Sequence, residues 1–279
     1  MIFKFFCPRW GSEHISWDQF CQKVKDEGYD GVEYGIPNDV ALTELDEAWN
    51  NFEKYGLVAI PQHYATYDAE FSRHFDNYAG WLDMVKPYKA LKIDSQTGKD
   101  YFSFEQNKKL VDRATEHTRS TGVEVYHETH RNKFTFACHI TADYLKRIPE
   151  LRITLDASHW VNVAESFLED QQDAMELAIT RTEHIHARVG YPEGPQVPDP
   201  AAPEWREALQ RHLNWWDKVI ERKRSDGAGL VTITPEFGPY PYMVHLPYSQ
   251  KPISDQWANN VYMMNLLKER YIEFNEDNL

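Results

Sequence analysis

The stretch GVEVYHE, residues 122–128, has the alternating pattern on which the fold prediction rests. In an extended strand, Val123 and Val125 point to one side of the backbone. Tyr126 and Glu128 point to the other side. The same division into an apolar and a polar side recurs in LKID (91–94), RITLD (152–156) and VTITPE (231–236). Because the apolar sides of such strands pack against helices, the polar sides are expected to face the interior of a barrel.

Strand-like runs alternate with longer amphipathic patterns along the whole chain. The runs begin at Ile2, Gly31, Leu57, Ala90, Gly122, Arg152, Glu183 and Leu230. The helical patterns include residues 16–29, 104–122 and 203–227, and several start at Ser or Pro and stop at Gly, as helix capping predicts. With 279 residues, or about 35 per strand–helix unit, the sequence predicts an α/β fold, a single (β/α)₈ TIM barrel domain over residues 1–279.

Charge and cysteine usage exclude several classes of protein. The formal net charge of −14 argues against a nucleic-acid partner, because binding to a phosphate backbone rests on clustered Lys and Arg. The 3 cysteines are odd in number and have no CxxC spacing, which argues against a disulfide framework and against a thiolate zinc site. Any metal ligands are therefore expected to be nitrogen and oxygen atoms.

No stretch of the sequence is typical of a targeting or membrane segment. The apolar opening MIFKFFCPRWG (1–11) is interrupted by Lys4 and Pro8, well short of the apolar core of a signal peptide. No later stretch is long enough to span a bilayer. We therefore expect a cytoplasmic protein that has no membrane partner and acts on a small molecule.

Polar residues end the fifth to eighth predicted strands. The last inward-facing residues of these strands are Glu128, Asp156, His186 and Glu236. Three carboxylates and one imidazole that converge without cancelling cations repel one another, and one divalent cation relieves that repulsion. The ligand set suits Mn²⁺, Mg²⁺ or Co²⁺, and Zn²⁺ also fits. The alternative is a structural ion network in which some of these groups pair with Lys92, Arg131 or Arg188.

Five motifs resemble the xylose-isomerase-like TIM barrel superfamily of sugar isomerases and epimerases. They span nearly the whole chain in the expected order: GYDGVEYG (28–35), YHETH (126–130), LDASHW (155–160), HIHA (184–187) and TPEFGP (234–239). The superfamily also includes keto-acid isomerases, dehydratases and endonuclease IV. The resemblance implies one divalent metal ion, with the ligands Glu128, Asp156, His186 and Glu236. It also implies that His159 contacts substrate or a further metal.

Three other side chains are candidates for holding substrate. Arg188 suits substrate oxygens, above all those of a carboxylate. Trp10, just past the first strand, is typical of a wall that stacks on a sugar, and a subunit contact in a homo-oligomer explains it equally well. His63 closes the third strand, where it is either close to the site or simply a capped strand end.

Three further polar residues are expected near the strand ends or inside the barrel. His184, one layer deeper than His186, is expected to support a ligand or fill the barrel rather than bind metal. Lys92 is either a catalytic lysine or, more commonly for an inward lysine, the partner of a carboxylate such as Asp94. Glu33 ends the second strand and matches a common superfamily glutamate.

Two departures from the superfamily pattern bear on the reaction. Phe134 stands where ketose 3-epimerases of the superfamily have a second glutamate, and Pro192 stands where they have an arginine. Both departures argue against 3-epimerisation of free ketohexoses. The extra histidine and the Asp-x-His pair of endonuclease IV are missing as well, which together with the acidic charge argues against DNA repair.

The predicted function is that of a metal-dependent isomerase or epimerase acting on a sugar or keto-sugar. Glu128 and Glu236 would lie on opposite sides of the substrate and transfer protons through an enediolate. The first alternative is a lyase on the same scaffold, such as a dehydratase of a cyclic polyol ketone or of dehydroshikimate. The second is a non-catalytic sugar-binding barrel, which would not need two opposed carboxylates.

The proline-rich loop GYPEGPQVPDPAAP, residues 190–203, closely follows His186. Its five prolines lower the entropy that is lost when the loop becomes ordered. We therefore expect a semi-rigid rim or lid over the site, with a subunit contact as the alternative.

Overall fold

Eight parallel strands close into a barrel in the computed structural model, which describes residues 1–272. Each strand pairs with the next along the chain, and the eighth pairs back with the first. The strands are β1 (Ile2–Pro8), β2 (Gly31–Ile36), β3 (Val58–His63), β4 (Ile93–Ser95), β5 (Val125–Glu128), β6 (Ile153–Leu155), β7 (Thr182–His186) and β8 (Leu230–Thr234). Every predicted run overlaps one of these strands, so the predicted α/β TIM barrel is confirmed.

Helices follow the strands around the outside of the barrel. They are α1 (Trp17–Asp26), α2 (Leu42–Tyr55), α3 (Phe71–Val85), α4 (Phe104–Thr121), α5 (Cys138–Arg147), α6 (Ala157–Ala164), α7 (Gln172–Arg181), α8 (Arg206–Ser225) and α9 (Gln256–Arg270). A short 3₁₀ helix, Pro203–Trp205, precedes α8. None of the helices within residues 1–272 combines the length and the apolar character needed to cross a bilayer.

The helix boundaries follow capping residues in the sequence. The hydroxyls of Ser16 and Ser103 accept hydrogen bonds from the backbone N–H groups of Gln19 and Gln106, whose side chains accept from the capping residues in return. Such a capping box pairs N–H groups that a helix start otherwise leaves unpaired. Gly122 ends α4 in the left-handed conformation, with φ of 74°. The local sequence therefore determines where α1 and α4 begin and where α4 ends.

The apolar sides of the strands face outward and form the core with the helices. Val32, Ile153 and Ile233 are fully buried there, together with Trp160 of α6 and Trp216 of α8. Burying one aliphatic side chain of this kind contributes about 1.5–3 kcal/mol. This layer therefore holds the helices on the barrel.

The polar sides meet inside the barrel, as the alternation predicted. Lys92 Nζ of the β4 segment donates to Thr232 Oγ1 of β8 at 2.9 Å. Gln62 Nε2 of β3 donates to Glu236 Oε1, just beyond β8, at 2.8 Å. Because parallel barrel strands all end at one rim, the last inward-facing residues come together there.

Candidate metal centre

Four side chains meet at the carboxyl-terminal rim of the barrel. They are the predicted ligands Glu128, Asp156, His186 and Glu236, all of them buried, and each offers one ligand atom within 4.8 Å of the others. His186 Nδ1 lies 2.8 Å from Glu236 Oε2 and 3.6 Å from Glu128 Oε1. The structure therefore brings together all four residues that the sequence analysis selected.

The ends of four consecutive strands position this cluster. Glu128 and His186 are the last residues of β5 and β7. Asp156 follows β6 directly and caps α6, because its side chain accepts a hydrogen bond from Ser158 N at 2.9 Å. Glu236 lies just beyond β8 with φ of 56°, a left-handed conformation that is unfavourable for a residue with a side chain. Such strain persists where surrounding contacts hold it, and it is common at functional sites.

Several polar atoms of the cluster are buried and have no hydrogen-bond partner within residues 1–272. They are both carboxylate oxygens of Glu128, together with Nδ1 of His186 and Oε2 of Glu236, which face each other at 2.8 Å as an ion-pair contact. Buried polar groups in proteins are nearly always paired, so each exception needs a cause. Nitrogen and oxygen atoms of this kind are ligands for hard and intermediate divalent cations. The donor set therefore fits the divalent metal ion that the superfamily resemblance implies.

Glu33 of β2 orients the histidine of the cluster. Burial alone would raise the pKa of Glu33, but the imidazoles of His186 and His184 outweigh burial and lower it well below its usual range. An ionised carboxylate only accepts hydrogen bonds. Nε2 of His186 therefore donates to Glu33 Oε1 at 3.0 Å, and Nε2 of His184 donates to Oε2 at 3.2 Å. This leaves Nδ1 of His186 facing the cluster, as the ring atom that can bind a metal ion.

His184 lies one layer deeper in the barrel, in the supporting position that the sequence analysis favoured. Its Nδ1 is 2.8 Å from the hydroxyl of Thr232, which also receives a hydrogen bond from Lys92. Burial lowers the pKa of His184 to about 4, so the ring is neutral near pH 7. A chain of hydrogen bonds therefore runs from Lys92 through Thr232 and His184 to Glu33.

Lys92 has different partners from those expected. Its ammonium group donates to Thr232 and to the carbonyl oxygen of Glu183, the latter at 3.0 Å. The expected ion pair with Asp94 is wrong, because the side chain extends across the barrel rather than along its own strand. Burial, followed by the nearby ammonium group of Lys223, lowers the pKa of Lys92 to about 7.

The two glutamates of the cluster have different electrostatic environments. Burial raises the pKa of Glu128, and the nearby carboxylate of Glu236 raises it further. Burial also opposes ionisation of Glu236, but His186 and Arg188 outweigh burial and lower its pKa. Glu236 Oε1 in addition accepts the hydrogen bond from Gln62. Glu128 is therefore the stronger proton acceptor of the two.

Arg188 is a cation beside the cluster, one of the three partners that the alternative of a structural ion network named. Its guanidinium forms a close ion pair with Asp156 and lies 3.8 Å from Glu236 Oε2. The expectation that the converging carboxylates lack cancelling cations is therefore wrong for Asp156, for which the alternative of a structural ion pair applies. Glu128, by contrast, forms no ion pair with a lysine or arginine of residues 1–272.

His159 lies against Arg188, close to the cluster. Its Nε2 is 2.7 Å from Nη2 of Arg188, and its Nδ1 is buried without a partner in residues 1–272. Burial, with His130 and Arg188, lowers the pKa of His159 well below its usual value, so the ring is neutral. Ligand atoms of Glu128, His130 and His159 also lie within 4.8 Å of one another. These distances allow a further metal to bind, which is one of the two roles that the resemblance implies for His159. His159 is fully buried and is not among the residues that line the adjoining cavity, so its contact with substrate stays a prediction.

A cavity of about 440 Å³ adjoins the cluster. Glu128, Glu236 and Arg188 line it together with Trp10, whose ring packs edge-on against Tyr242 at 5.1 Å between ring centroids. This volume lies within the range of about 300–1,000 Å³ that is usual for small-molecule sites. Trp10 is therefore positioned beside the space in which a sugar-sized ligand fits.

His63 lies outside this cavity. Its ring is on the outer side of β3, 4.8 Å from the ring of Tyr78 and 5.0 Å from that of Trp81, both in α3. The prediction that His63 contacts substrate is wrong, because the alternation along β3 turns Gln62 rather than His63 into the barrel.

Sequence reasoning missed several residues around the cluster. Gln62 faces inward from β3, and strand alternation alone could have identified it. Asp94, which the alternation in LKID placed on the inward side, was not assigned to the cluster. Burial and the carboxylate of Glu128 raise the pKa of Asp94 well above its usual value. Tyr242 and Lys133 line the cavity from loops, where no periodic pattern indicates which side chains turn inward.

The loop of residues 190–203 is anchored beside the cavity. The side chain of Gln196 donates to the carbonyl oxygen of Gly238 at 3.1 Å and accepts from its N–H at 2.8 Å. Gly190 lies so close to Ser158 that an added Cβ would approach its backbone to 2.8 Å. The loop is thus tied to the segments after β6 and β8, while the cavity is lined by other parts of the chain.

Comparisons with known proteins bear on the fold. No protein-family model and no curated protein matches the sequence. Among solved structures, the chain is similar to the probable 3-DHS dehydratase AsbF of Bacillus anthracis, involved in petrobactin synthesis, with a TM-score of 0.58 and 17% identity over 96% of this chain and 99% of that one.

Two further matches are more distant. They are a glycoside hydrolase (TM-score 0.43, 11% identity, 95% of this chain and 99% of that one) and a truncated 3-deoxy-D-arabino-heptulosonate 7-phosphate synthase of Thermotoga maritima (TM-score 0.37, 15% identity, 82% and 89%). At these identities a likeness concerns the fold alone. The match to AsbF and the closed parallel barrel confirm the predicted TIM barrel fold.

Proposed function

We propose that the protein is a metal-dependent isomerase or epimerase that moves a proton at a carbon atom next to the carbonyl of a sugar or keto-sugar. The observation that carries this proposal is the convergence of Glu128, whose two buried oxygens have no hydrogen-bond partner within residues 1–272, with His186 and Glu236 beside a cavity. In a purely structural network these buried oxygens would have hydrogen-bond partners, as the groups in the chain of hydrogen bonds from Lys92 to Glu33 do.

The proposed metal ligands are the four residues of the rim cluster, Glu128, Asp156, His186 and Glu236. A divalent cation held there would polarise a substrate carbonyl and acidify the neighbouring C–H bond. Asp156 would share its carboxylate between the cation and Arg188, whose charge it already neutralises.

The protein side chains would divide the proton transfer between them. Glu128 accepts the proton, because its oxygens lack partners and its pKa is raised by burial and by Glu236. Glu236, held by Gln62, is the group for the second proton transfer. Arg188 and His159 would hold substrate oxygens, and Trp10 would pack against the carbon skeleton.

A lyase is the second candidate. It shares the first step, since Glu128 would remove the same proton, and it differs in expelling a hydroxyl group one carbon further along as water. The structural match to a protein described as a probable 3-DHS dehydratase favours this candidate. The substrate would then be a cyclic polyol ketone or a keto-acid of the dehydroshikimate type.

Proton exchange distinguishes these candidates. The Mn²⁺-loaded protein is incubated in deuterated buffer with aldoses, ketoses and keto-acids, and the products are followed by NMR. Deuterium uptake next to a carbonyl without loss of water is expected for the isomerase or epimerase. Loss of water identifies the lyase. Absence of exchange with every compound contradicts both and leaves a sugar-binding barrel.

Substitutions in the cluster test the roles of the glutamates. Glu128→Gln and Glu236→Gln are each expected to abolish deuterium uptake while the barrel stays folded. Glu221→Gln, an exposed position on α8, serves as the matched control and should exchange at the wild-type rate. Near-normal exchange by either cluster variant would show that the glutamate concerned transfers no proton.

A further inference from the structure

We propose that Lys133, with Lys99 behind it, forms a subsite that binds a carboxylate group of the substrate. The proposal rests on the proposed function in one respect, since it takes the cavity beside the rim cluster as the substrate site. It adds a substrate class: a polyhydroxylated acid rather than a neutral sugar.

Three cations line the cavity, and two of them are committed to other groups. Arg188 is paired with Asp156. Arg9 donates from Nη2 to the carbonyl oxygen of Ile15 at 2.8 Å and packs on aromatic rings. Lys133, which is only 2% exposed, has a single long hydrogen bond of 3.5 Å, from Nζ to the carbonyl oxygen of Tyr64. Arg9 also lacks an ion pair, and its Nη1 has no hydrogen-bond partner within residues 1–272, but its guanidinium lies 4.2 and 4.6 Å from the ring centres of Trp17 and Phe20. The ammonium group of Lys133 has no carboxylate partner in this part of the chain and lies 5.8 Å from the centre of the Tyr67 ring.

A second lysine increases this excess of positive charge. Lys99 is 5% exposed, and its Nζ lies 5.7 Å from the centre of the Tyr67 ring, while Nζ of Lys133 lies 5.8 Å from the same centre. Within residues 1–272 neither lysine forms an ion pair with a carboxylate. In a chain of net charge −14, two buried lysines that lie near one aromatic ring without an ion pair to a carboxylate are unusual.

Electrostatics show why an anion would be bound there. Burial lowers the pKa of Lys133 to about 8, and the like charge of Lys99 contributes to this effect. Buried charges without a counter-ion are unfavourable, so a ligand carboxylate would relieve both burial and repulsion. One ammonium group lines the cavity, which matches a singly charged carboxylate better than a phosphate dianion.

The segment after β5 holds Lys133 in a defined place relative to the cluster. The backbone N–H of Lys133 donates to the carbonyl oxygen of His130 at 3.2 Å, and the carbonyl oxygen of Lys133 accepts from the N–H of Phe136 at 3.1 Å. Asn132, just before it, is in the left-handed conformation with φ of 66°. Because the hydroxyl of Thr135 bonds the backbone of Glu128, the turn and the proposed base form one rigid unit. The anion subsite and the proton acceptor are thus kept in a defined relation to each other.

Binding of three matched polyols tests the proposal. D-Glucitol, D-gluconate and D-glucitol 6-phosphate are titrated into the full chain at pH 7 by calorimetry, once with Mn²⁺ and once after metal removal by dialysis. We expect D-gluconate to bind about tenfold more tightly than D-glucitol, because a charge-assisted hydrogen bond is gained. The preference is expected in the metal-free protein as well, because Lys133 is not part of the rim cluster.

Variants connect this preference to the lysine. In Lys133→Met the ratio of D-gluconate affinity to D-glucitol affinity should fall from about ten to about one, and Lys133→Arg should retain the preference. Lys109→Met is the matched control, because Lys109 is exposed on α4 and lies over a ring, that of Phe71, at 5.9 Å. The control should bind all three compounds as the wild type does.

Several results would overturn the proposal. They are equal binding of D-gluconate and D-glucitol by the wild type, tightest binding of the phosphate, or an unchanged preference in Lys133→Met. If Lys133→Met does not fold, loss of the preference in folded Lys133→Arg overturns it instead. Failure of the proposed function is recognised separately, as absence of Mn²⁺ uptake and of deuterium exchange, because the preference is also measured without metal.

Discussion

In the metal-free protein, a Glu→Gln substitution should raise the free energy of unfolding at one buried glutamate, Glu128, and lower it at another, Glu33. Glu128 has no hydrogen-bond partner for either oxygen, whereas Glu33 accepts hydrogen bonds from His184, His186 and Thr234. Glu128→Gln removes a carboxyl group whose ionisation is opposed by burial and by Glu236 and is only partly offset by His186, so we expect a gain of about 1–3 kcal/mol in the free energy of unfolding. Glu33→Gln breaks a compensated buried group, so we expect a loss of about 3–5 kcal/mol.

The pH dependence of the free energy of unfolding checks whether Glu128→Gln stabilises the metal-free protein. The pKa of Glu128 is raised in the folded protein, by burial first and then by Glu236. The stabilisation from its bound proton is complete below the ordinary glutamate pKa of 4.5 and is lost as the pH rises through the raised value. The Glu128→Gln variant does not titrate in this range. Its advantage over the metal-free wild type should therefore grow as the pH rises.

Metal binding should make the wild type more stable towards unfolding than Glu128→Gln, which reverses their order in the metal-free state. At a Mn²⁺ concentration 100 times the dissociation constant, the wild type gains about 2.7 kcal/mol, or roughly 5–10 °C in unfolding midpoint for a chain of this length. Glu128→Gln should lose most of this shift, because a ligand is gone. Glu33→Gln should bind Mn²⁺ about 10–100-fold more weakly, because the orientation of His186 is no longer enforced.

The assay is urea and thermal unfolding of the wild type and of both variants, at pH 6, 7 and 8, with and without Mn²⁺. Glu221→Gln, exposed on α8, controls for the loss of one negative charge. Elemental analysis should find about one divalent cation per chain. If metal-free Glu128→Gln is destabilised as much as Glu33→Gln, or keeps the full Mn²⁺ shift, the assignment of the rim cluster as a metal centre is refuted.

Two further predictions concern groups below and beside the cluster. The folded chain releases the proton of Lys92 at a pKa of about 7 and the unfolded chain at 10.5, so this group makes wild-type stability rise between these values, by roughly 1.4 kcal/mol per pH unit. Lys92→Met lacks this rise. If the difference in the free energy of unfolding between the wild type and Lys92→Met, measured in urea, stays constant between pH 7 and pH 9, the pKa of about 7 for Lys92 is contradicted. Gln196→Ala removes the hydrogen bonds that hold Gly238, close in sequence to Glu236, so we expect several-fold weaker Mn²⁺ binding in calorimetry. Gln210→Ala, exposed on α8, is its control, and equal affinities of the two variants would reject the positioning role.

Strand alternation explains why the fold and the cluster could be predicted from the sequence. A period of two assigns each strand residue to the core or to the interior, and parallel strands place their last inward residues at one rim. Glu128 and His186 could be selected on this basis, since each is the last residue of a strand. The same rule, applied consistently along β3, would have selected Gln62 instead of His63.

Other contacts could not be predicted, because they depend on distances across the barrel and on loops. The pairing of Arg188 with Asp156 joins segments beyond β7 and β6, and no local pattern specifies it. Lys92 reaches Thr232 of β8 rather than Asp94, since an inward side chain near the start of β4 meets the opposite wall. Lys133 lies in a turn, where side-chain direction follows from backbone angles that sequence periodicity does not encode.

The contrast between paired and unpaired polar groups separates the supporting part of the barrel interior from the reactive part. The chain of hydrogen bonds through Lys92, His184 and Glu33 gives each of these polar groups a partner, so their substitution should mainly lower stability. The oxygens of Glu128 at the rim have no hydrogen-bond partner within residues 1–272, so its substitution should stabilise the metal-free protein and weaken ligand binding. His186 belongs to both parts, because Nε2 is held by Glu33 while Nδ1 faces the cluster. The two histidines of the HIH motif therefore have different tasks: the deeper one holds the carboxylate that orients the other.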